Sequence, residues 1–314
     1  MRKNYFNFIL IFISCLTSYS QDAQFFIPNI SLISLNPSFA GNKGCVRSQS
    51  AYRNQWPNLS GTYVTYYSAV DLYIKSLKGG LSYSILTDDQ AKGTLKTTYF
   101  SMGYAQHILL MNGKLKVIPS FEARYTQKNL DRSKLNFGDM IDPRRGIVWN
   151  TTSVIPKNIV YFTDLSSGIL FQTRNSSFGI SAFHISQPVD DLLGNSRLPI
   201  SVNAHGSANL YIAQKYQITS FALLTRQEKY ISFQLQSALI VKNRFRFGIG
   251  YKTGDVILTN FGFQTIYFTA FYGFDCAIAK HAGNSAGSHE AGLIFNFRKK
   301  LSPNGFMTLN SLNY

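Results

Sequence analysis

From Ser288 to Phe297 the chain reads with a period of two. Ala291, Leu293, Phe295 and Phe297 fall on one side of an extended backbone, and Glu290, Gly292, Ile294 and Asn296 on the other. The run from Arg244 to Lys252 makes a sharper demand: Phe245, Phe247, Ile249 and Tyr251 oppose Arg244, Arg246, Gly248 and Gly250. Its charged flank needs water, and its aromatic flank needs a wide apolar medium. From Ile231 to Leu239 the pattern repeats, with Ile231, Phe233 and Leu235 against Ser232, Gln234 and Gln236. A soluble sandwich also alternates, but strands that are apolar toward lipid and polar toward a wet lumen describe a membrane β-barrel.

Reading such segments in order predicts an all-β chain with about fourteen strands. They lie near 45–53, 62–73, 78–86, 95–109, 114–126, 163–172, 177–186, 203–213, 216–226, 230–241, 244–252, 256–265, 267–279 and 288–298. The connections sort into two kinds. Even-to-odd joins are tight, at Met111-Asn112-Gly113, Arg174-Asn175-Ser176, Gln214-Lys215 and Lys242-Asn243. The odd-to-even set holds every long one: Asn54 to Gly61, Thr87 to Thr94, Gln127 to Phe162, Gln187 to Val202 and Lys280 to Gly287. Short turns at one end and long loops at the other are expected of a closed antiparallel barrel in an outer membrane.

Residues 1–20 read as a secretory signal, with basic Arg2 and Lys3, an apolar run from Tyr5 to Leu16, and small residues at Ser18-Tyr19-Ser20. No later stretch has the length and apolarity of a transmembrane helix. Arg2 and Lys3 carry two of the net +16 charges, and the remainder are spread over strands and loops. This excess suits an anionic envelope surface, an acidic partner or a cation-rich lumen, and no nucleic-acid partner is expected. Cys45 and Cys276 fall on non-neighbouring strands and read as small inert side chains. The expected organisation is a signal peptide (1–20), an N-terminal segment (21–41), a barrel (42–298) and a tail (299–314).

Glu290-x-Gly292-x-x-Phe295-x-Phe297 resembles the closing-strand signal read by the bacterial barrel-assembly machinery. Further motifs resemble one family. Leu35-Asn36-Pro37-Ser38-Phe39-Ala40-Gly41 is similar to the "LNPAFAG" opening of the PorP/SprF family of type IX secretion membrane proteins, and Tyr52-Arg53-Asn54-Gln55-Trp56-Pro57 to its "R-x-QWP" motif. Gly79-Gly80, Asp88 and Gly93 match its "GG…D…G" pattern. Asn136 to Asp142 resembles its "FxDQID" segment, with Met140 in place of Gln. His184 with Pro188, and Gly287-Ser288-His289-Glu290, complete an ordered set along nearly the whole chain. The resemblance implies an outer-membrane barrel with no enzymatic activity and no cofactor. It also implies support for secretion or cell-surface attachment of a partner, such as a gliding adhesin with a C-terminal sorting domain. Contacts with the translocon or periplasmic ring components belong to the same implication.

The residues themselves leave two uses open, a partner-binding accessory barrel and a porin whose Arg244, Arg246 and Lys252 favour anions. Arg53, Gln55, Trp56, Asp88, Asp139, Asp142 and His184 are the candidate partner-binding rim. Trp offers a broad apolar face and Arg a fork for carboxylates, although an aromatic girdle residue and a loop-holding Arg fit as well. The acidic residues Asp88, Asp89, Asp139, Asp142, Asp190 and Asp191 lack the spacing of a calcium loop and read as solvated loop caps. His107, His184, His205, His281 and His289 form no zinc pattern. Ser288, His289 and Glu290 are sequence neighbours, which point to alternate faces of a strand and make no triad. From Gln21 to Gly41 the chain is too apolar for a free tail, and Pro28 and Pro37 interrupt any helix. Phe25, Leu35, Asn36, Pro37 and Phe39 are therefore expected either to fill the lumen as a plug or to pack on a periplasmic partner.

Overall fold

The computed structural model describes residues 22–297, apart from 60, 153–156, 191, 193–195, 214 and 279–285. The expected signal peptide and C-terminal tail lie outside the described residues. The strands are β1 (Arg47–Gln55), β2 (Tyr63–Ile74), β3 (Gly79–Gln90), β4 (Leu95–Gln106), β5 (Ile108–Leu110), β6 (Leu115–Leu130), β7 (Ile141–Asp142), β8 (Gly146–Ile147), β9 (Ile159–Gln172), β10 (Ser176–Phe183), β11 (Ser201–Ala213), β12 (Tyr216–Gln227), β13 (Tyr230–Val241), β14 (Phe245–Lys252), β15 (Val256–Gln264), β16 (Phe268–Ala277) and β17 (Ser288–Asn296). Each barrel strand pairs antiparallel with its neighbours, β1 pairs with β17, and β4 pairs with β6, so the sheet closes on itself. Fourteen staves form the wall, as the alternation predicts. Three-residue β5 continues β4 past His107, and β7–β8 is a small ribbon in the connection after β6.

The wall sorts its side chains as a membrane barrel requires. On β13, Phe233, Leu235 and Leu239 face outward and are exposed, while Ser232, Gln234 and Gln236 are buried inside. Aromatic rings pair across strands on the outer face, with centroids 5.3 Å apart for Phe247 and Phe261 and 5.5 Å for Phe245 and Phe263. The seam keeps a continuous register from Arg47 opposite Asn296 to Gln55 opposite Ser288. No described helix is long and apolar enough to cross a membrane.

The tight joins sit at one end. Asn112 and Asn243 have φ of 53° and 52°, each next to another residue of positive φ, as two-residue hairpin turns require. The long connections, 131–158 and 184–200, leave the other end, which is the outer one. One expected loop is corrected. Thr87 to Thr94 is mostly strand, because β3 runs on to Gln90 and β4 restarts at Leu95. Asp88 accepts from Thr65 Oγ1 on β2 at 2.8 Å, so polar inward side chains carry the wall beyond the apolar belt. Cys45 and Cys276 form no disulfide.

Candidate functional site: a filled lumen and its outer mouth

Residues 22–46 enter the lumen and run from the outer end down to the periplasmic start of β1. The path is short turns, Pro28–Ile30, Leu32–Leu35 and Pro37–Phe39, in keeping with the helix-breaking prolines. Two apolar clusters fix it. Phe25, Phe26, Ile27, Ile30 and Ile33 pack on Tyr67, Ala69, Leu258, Phe271 and Ile294 of the wall. Leu32, Phe39 and Ala40 pack on Ala105, Ile118 and Leu170, with Leu35 at the margin. These apolar wall residues face inward and meet the segment, while polar groups such as Gln49, Gln234 and Glu290 line the wall beside them. At these places the segment is the neighbour of the wall.

The backbone of an irregular segment must find partners, and the wall supplies them stave by stave. Glu290 on β17 accepts from Phe26 N at 3.1 Å and from Ile27 N at 2.8 Å. Gln234 on β13 donates to Phe26 O at 2.8 Å, and Gln49 on β1 donates to Asn29 O at 3.1 Å. Ser181 on β10 donates to Leu35 O at 2.7 Å. Lower down, Gly41 N donates to Asp71 Oδ2 at 2.8 Å, while Arg47 Nε donates to Asp71 Oδ1 at 2.7 Å. His107 Nε2 donates to Ala40 O at 2.9 Å, which places the break in β4 beside the segment. Close approach needs wall positions without a side chain. A Cβ at Gly273 would lie 2.7 Å from the Phe26 ring, and one at Gly80 would overlap the carbonyl of Ala40.

Asn36 is the pivot of the segment. Its Oδ1 accepts from Ser38 N at 2.9 Å and caps the Pro37–Phe39 turn, while its Nδ2 lies 3.3 Å from Ile180 O and 3.1 Å from His205 Nε2. The side chain is fully buried. Asn36→Ala is expected to lower the unfolding free energy of the detergent-solubilised barrel by about 1–3 kcal/mol, seen as a lower urea midpoint with an unchanged slope.

The structure separates the expected rim residues. Arg53 is buried inside, 2.8 Å from Asp275 Oδ2 and 3.6 Å from Glu290 Oε1, with its guanidinium 4.9 Å from the Phe26 ring centre. Asp88 is buried and held by Thr65 and Gln90. His184 has no exposed surface. These three face inward, Arg53 from β1, Asp88 from β3 and His184 from the residue just after β10. Gln55 ends β1 half-buried, and Trp56, at φ 55°, sets its ring edge-on to Tyr63 at 6.0 Å. Only Asp139 and Asp142 lie on an exposed loop, and there they cap local backbone. Ser288 and Glu290 face inward, whereas His289 lies outside, 2.8 Å from the Tyr272 hydroxyl.

His184 closes the outer end of the segment. Its Nδ1 lies 2.6 Å from Asp164 and its Nε2 lies 2.9 Å from Asp22, the first described residue. Ser186 donates to Asp164 at 2.8 Å, and Gln227 donates to Asp22 at 3.3 Å. Burial disfavours the imidazolium, but the bonds to the two carboxylates outweigh it and raise its pKa to about 9. Asp22 is pushed up by burial and, more strongly, down by His184, so it sits below the ordinary carboxylate range. Beside Asp22 a cavity of about 70 Å3 remains, lined by Tyr67, Tyr99, Arg124 and Asn203 among others. It has room for a few waters, and the described residues hold no cluster suited to a metal. Sequence reasoning missed Glu290, Asp71 and Gln234 as holders of the segment. The inward glycines near them, Gly292, Gly80 and Gly273, were the available signal.

Comparison with known proteins agrees with this architecture. The crystal structure of the Ralstonia pickettii toluene transporter TbuX superposes with a TM-score of 0.51 at 11% identity, over 88% of this chain and 96% of that one. The Acinetobacter baumannii outer-membrane protein Omp33 gives 0.47 at 10% identity, over 82% and 100%. At such identities the likeness to TbuX concerns the fold alone. No curated protein sequence matches the chain. The family model described as "Type IX secretion system membrane protein PorP/SprF" matches residues 17–295, nearly the whole of the described barrel and its filled lumen. The chain is thus an outer-membrane β-barrel that belongs to the PorP/SprF family of type IX secretion system membrane proteins.

Proposed function

We propose that this barrel is an accessory of type IX secretion that holds a secreted surface protein at its outer face and does not act as an open pore. The partner is a protein with a C-terminal sorting domain, and the periplasmic end meets the translocon or ring components. One observation carries the reading: residues 22–46 fill the lumen and are bonded to staves on all sides, including β1, β2, β10, β13 and β17. A barrel so occupied is suited to binding and positioning, which need no catalytic step. The competing reading is an anion-preferring channel. It has in its favour that Arg246 and Lys252 lie on the inward face of β14.

Planar-bilayer recording separates the two. The intact chain is expected to show no stable open conductance, and a steady anion-selective current would sink the accessory reading. Affinity purification from native membranes under mild detergent is expected to recover one large surface protein or type IX components in defined stoichiometry. Recovery of the barrel alone, together with normal secretion by cells that lack it, also counts against the proposal.

A further inference from the structure

We propose that the β7–β8 ribbon in the connection after β6 is the docking element, and that its ligand is an extended acidic segment of a partner protein. This rests on the reading that outer loops hold a partner. The ribbon is built from Ile141 paired directly with Ile147, and Val148 N donates to Met140 O at 3.0 Å. Ile141, Ile147, Val148 and Trp149 are all about half exposed, at 48%, 54%, 49% and 55%. Ile147 and Ile141 are direct cross-strand partners and share a face, and Val148 and Trp149 follow just past the end of β8. An isolated two-stranded ribbon is marginally stable in water, and an uncovered apolar face gives it no core. The two outer edges of the ribbon pair with no other strand among the described residues, so their backbone groups remain open to an added strand.

Charge sets the chemistry of that strand. Asp142 Oδ1 accepts from the backbone N of Arg144 at 2.8 Å and of Arg145 at 2.9 Å, which shapes the tip. Asp139 Oδ2 accepts from Thr151 Oγ1 at 2.9 Å and Thr152 N at 2.8 Å, which closes the base. Both carboxylates are thus used within the loop. The guanidinium groups of Arg144 and Arg145 meet no carboxylate among the described residues and stand exposed at the tip. An apolar ribbon face, open edges and two uncommitted guanidinium groups fit a β-segment that alternates aliphatic and acidic residues. Lipid phosphates would satisfy the arginines but leave the backbone edges unpaired.

The chain contains two tryptophans, so Trp56→Phe leaves Trp149 as the sole reporter. With that chain in nanodiscs, a short peptide alternating glutamate and valine is expected to blue-shift Trp149 emission saturably. The Arg144→Glu/Arg145→Glu variant is expected to weaken binding about tenfold or more. An equal response to a control peptide alternating lysine and valine, no response, or a response only to vesicles containing lipid A would overturn the proposal, the last by moving the loop to the membrane. Far-UV circular dichroism and heat-modifiable gel mobility confirm that the variant is folded. A cellular arm separates this inference from the accessory reading. Surface display that is lost without the barrel but normal with the double variant defeats the ribbon alone. Display that persists without the barrel defeats the reading beneath it.

Discussion

Glu290→Ala is expected to destabilise the barrel by about 3–5 kcal/mol and to loosen its N-terminal segment. The carboxylate is fully buried and bonds the backbone of Phe26 and Ile27 while it faces Arg53. Truncation leaves two buried N–H groups without an acceptor and Arg53 with only Asp275. Urea unfolding in micelles checks the energy. Hydrogen exchange checks the place: amides of residues 26–33 are expected to lose protection before those of the wall strands. Glu290→Gln keeps an acceptor oxygen for one amide and is expected to fall between alanine and wild type. Equal protection of the segment in Glu290→Ala and wild type would show that packing alone holds it.

The second large effect is a pH dependence at the outer mouth. His184 has its pKa raised from the ordinary 6.5 to about 9 in the folded chain. A raised folded value means that the stabilisation is complete below about pH 6.5 and disappears as the pH climbs through about 9. The full swing is worth about 3 kcal/mol for a shift of this size. Asp22, held below the ordinary range, keeps its side of the contact charged until the pH falls under that of usual carboxylates. The urea midpoint of the intact protein is therefore expected to drop between pH 6.5 and pH 9.5, and His184→Asn is expected to flatten the drop. An unchanged slope in that variant would assign the dependence to another group.

The wall was legible in the sequence because each stave meets two solvents. Tyr230–Val241 is a strand over the very span the alternation predicts, since a shift by one residue would turn Phe233 and Leu235 into the lumen and Gln234 and Gln236 into lipid. Boundaries slipped where that contrast ends. β3 and β6 run on to Gln90 and Leu130, beyond the apolar belt, and no lipid constrains the residues there. The placement of Arg53, Asp88 and His184 was less legible. A polar inward residue looks alike in sequence whether it meets water or a buried backbone. Glu290 and Phe26 are far apart in the chain, and no local spacing announces their bond. The apolar character of residues 25–39 signalled that protein covers them but left open which protein.

The closure of the cylinder at β1 and β17 draws on the same bonds that fill its interior. Gln49, Arg47 and Arg53 of β1, and Glu290 of β17, all grip the N-terminal segment or one another across that junction. Sideways parting of the first and last staves would tear out these contacts together with the nine-residue register from Arg47 to Gln55. A lateral gate in the wall at this junction is thereby disfavoured.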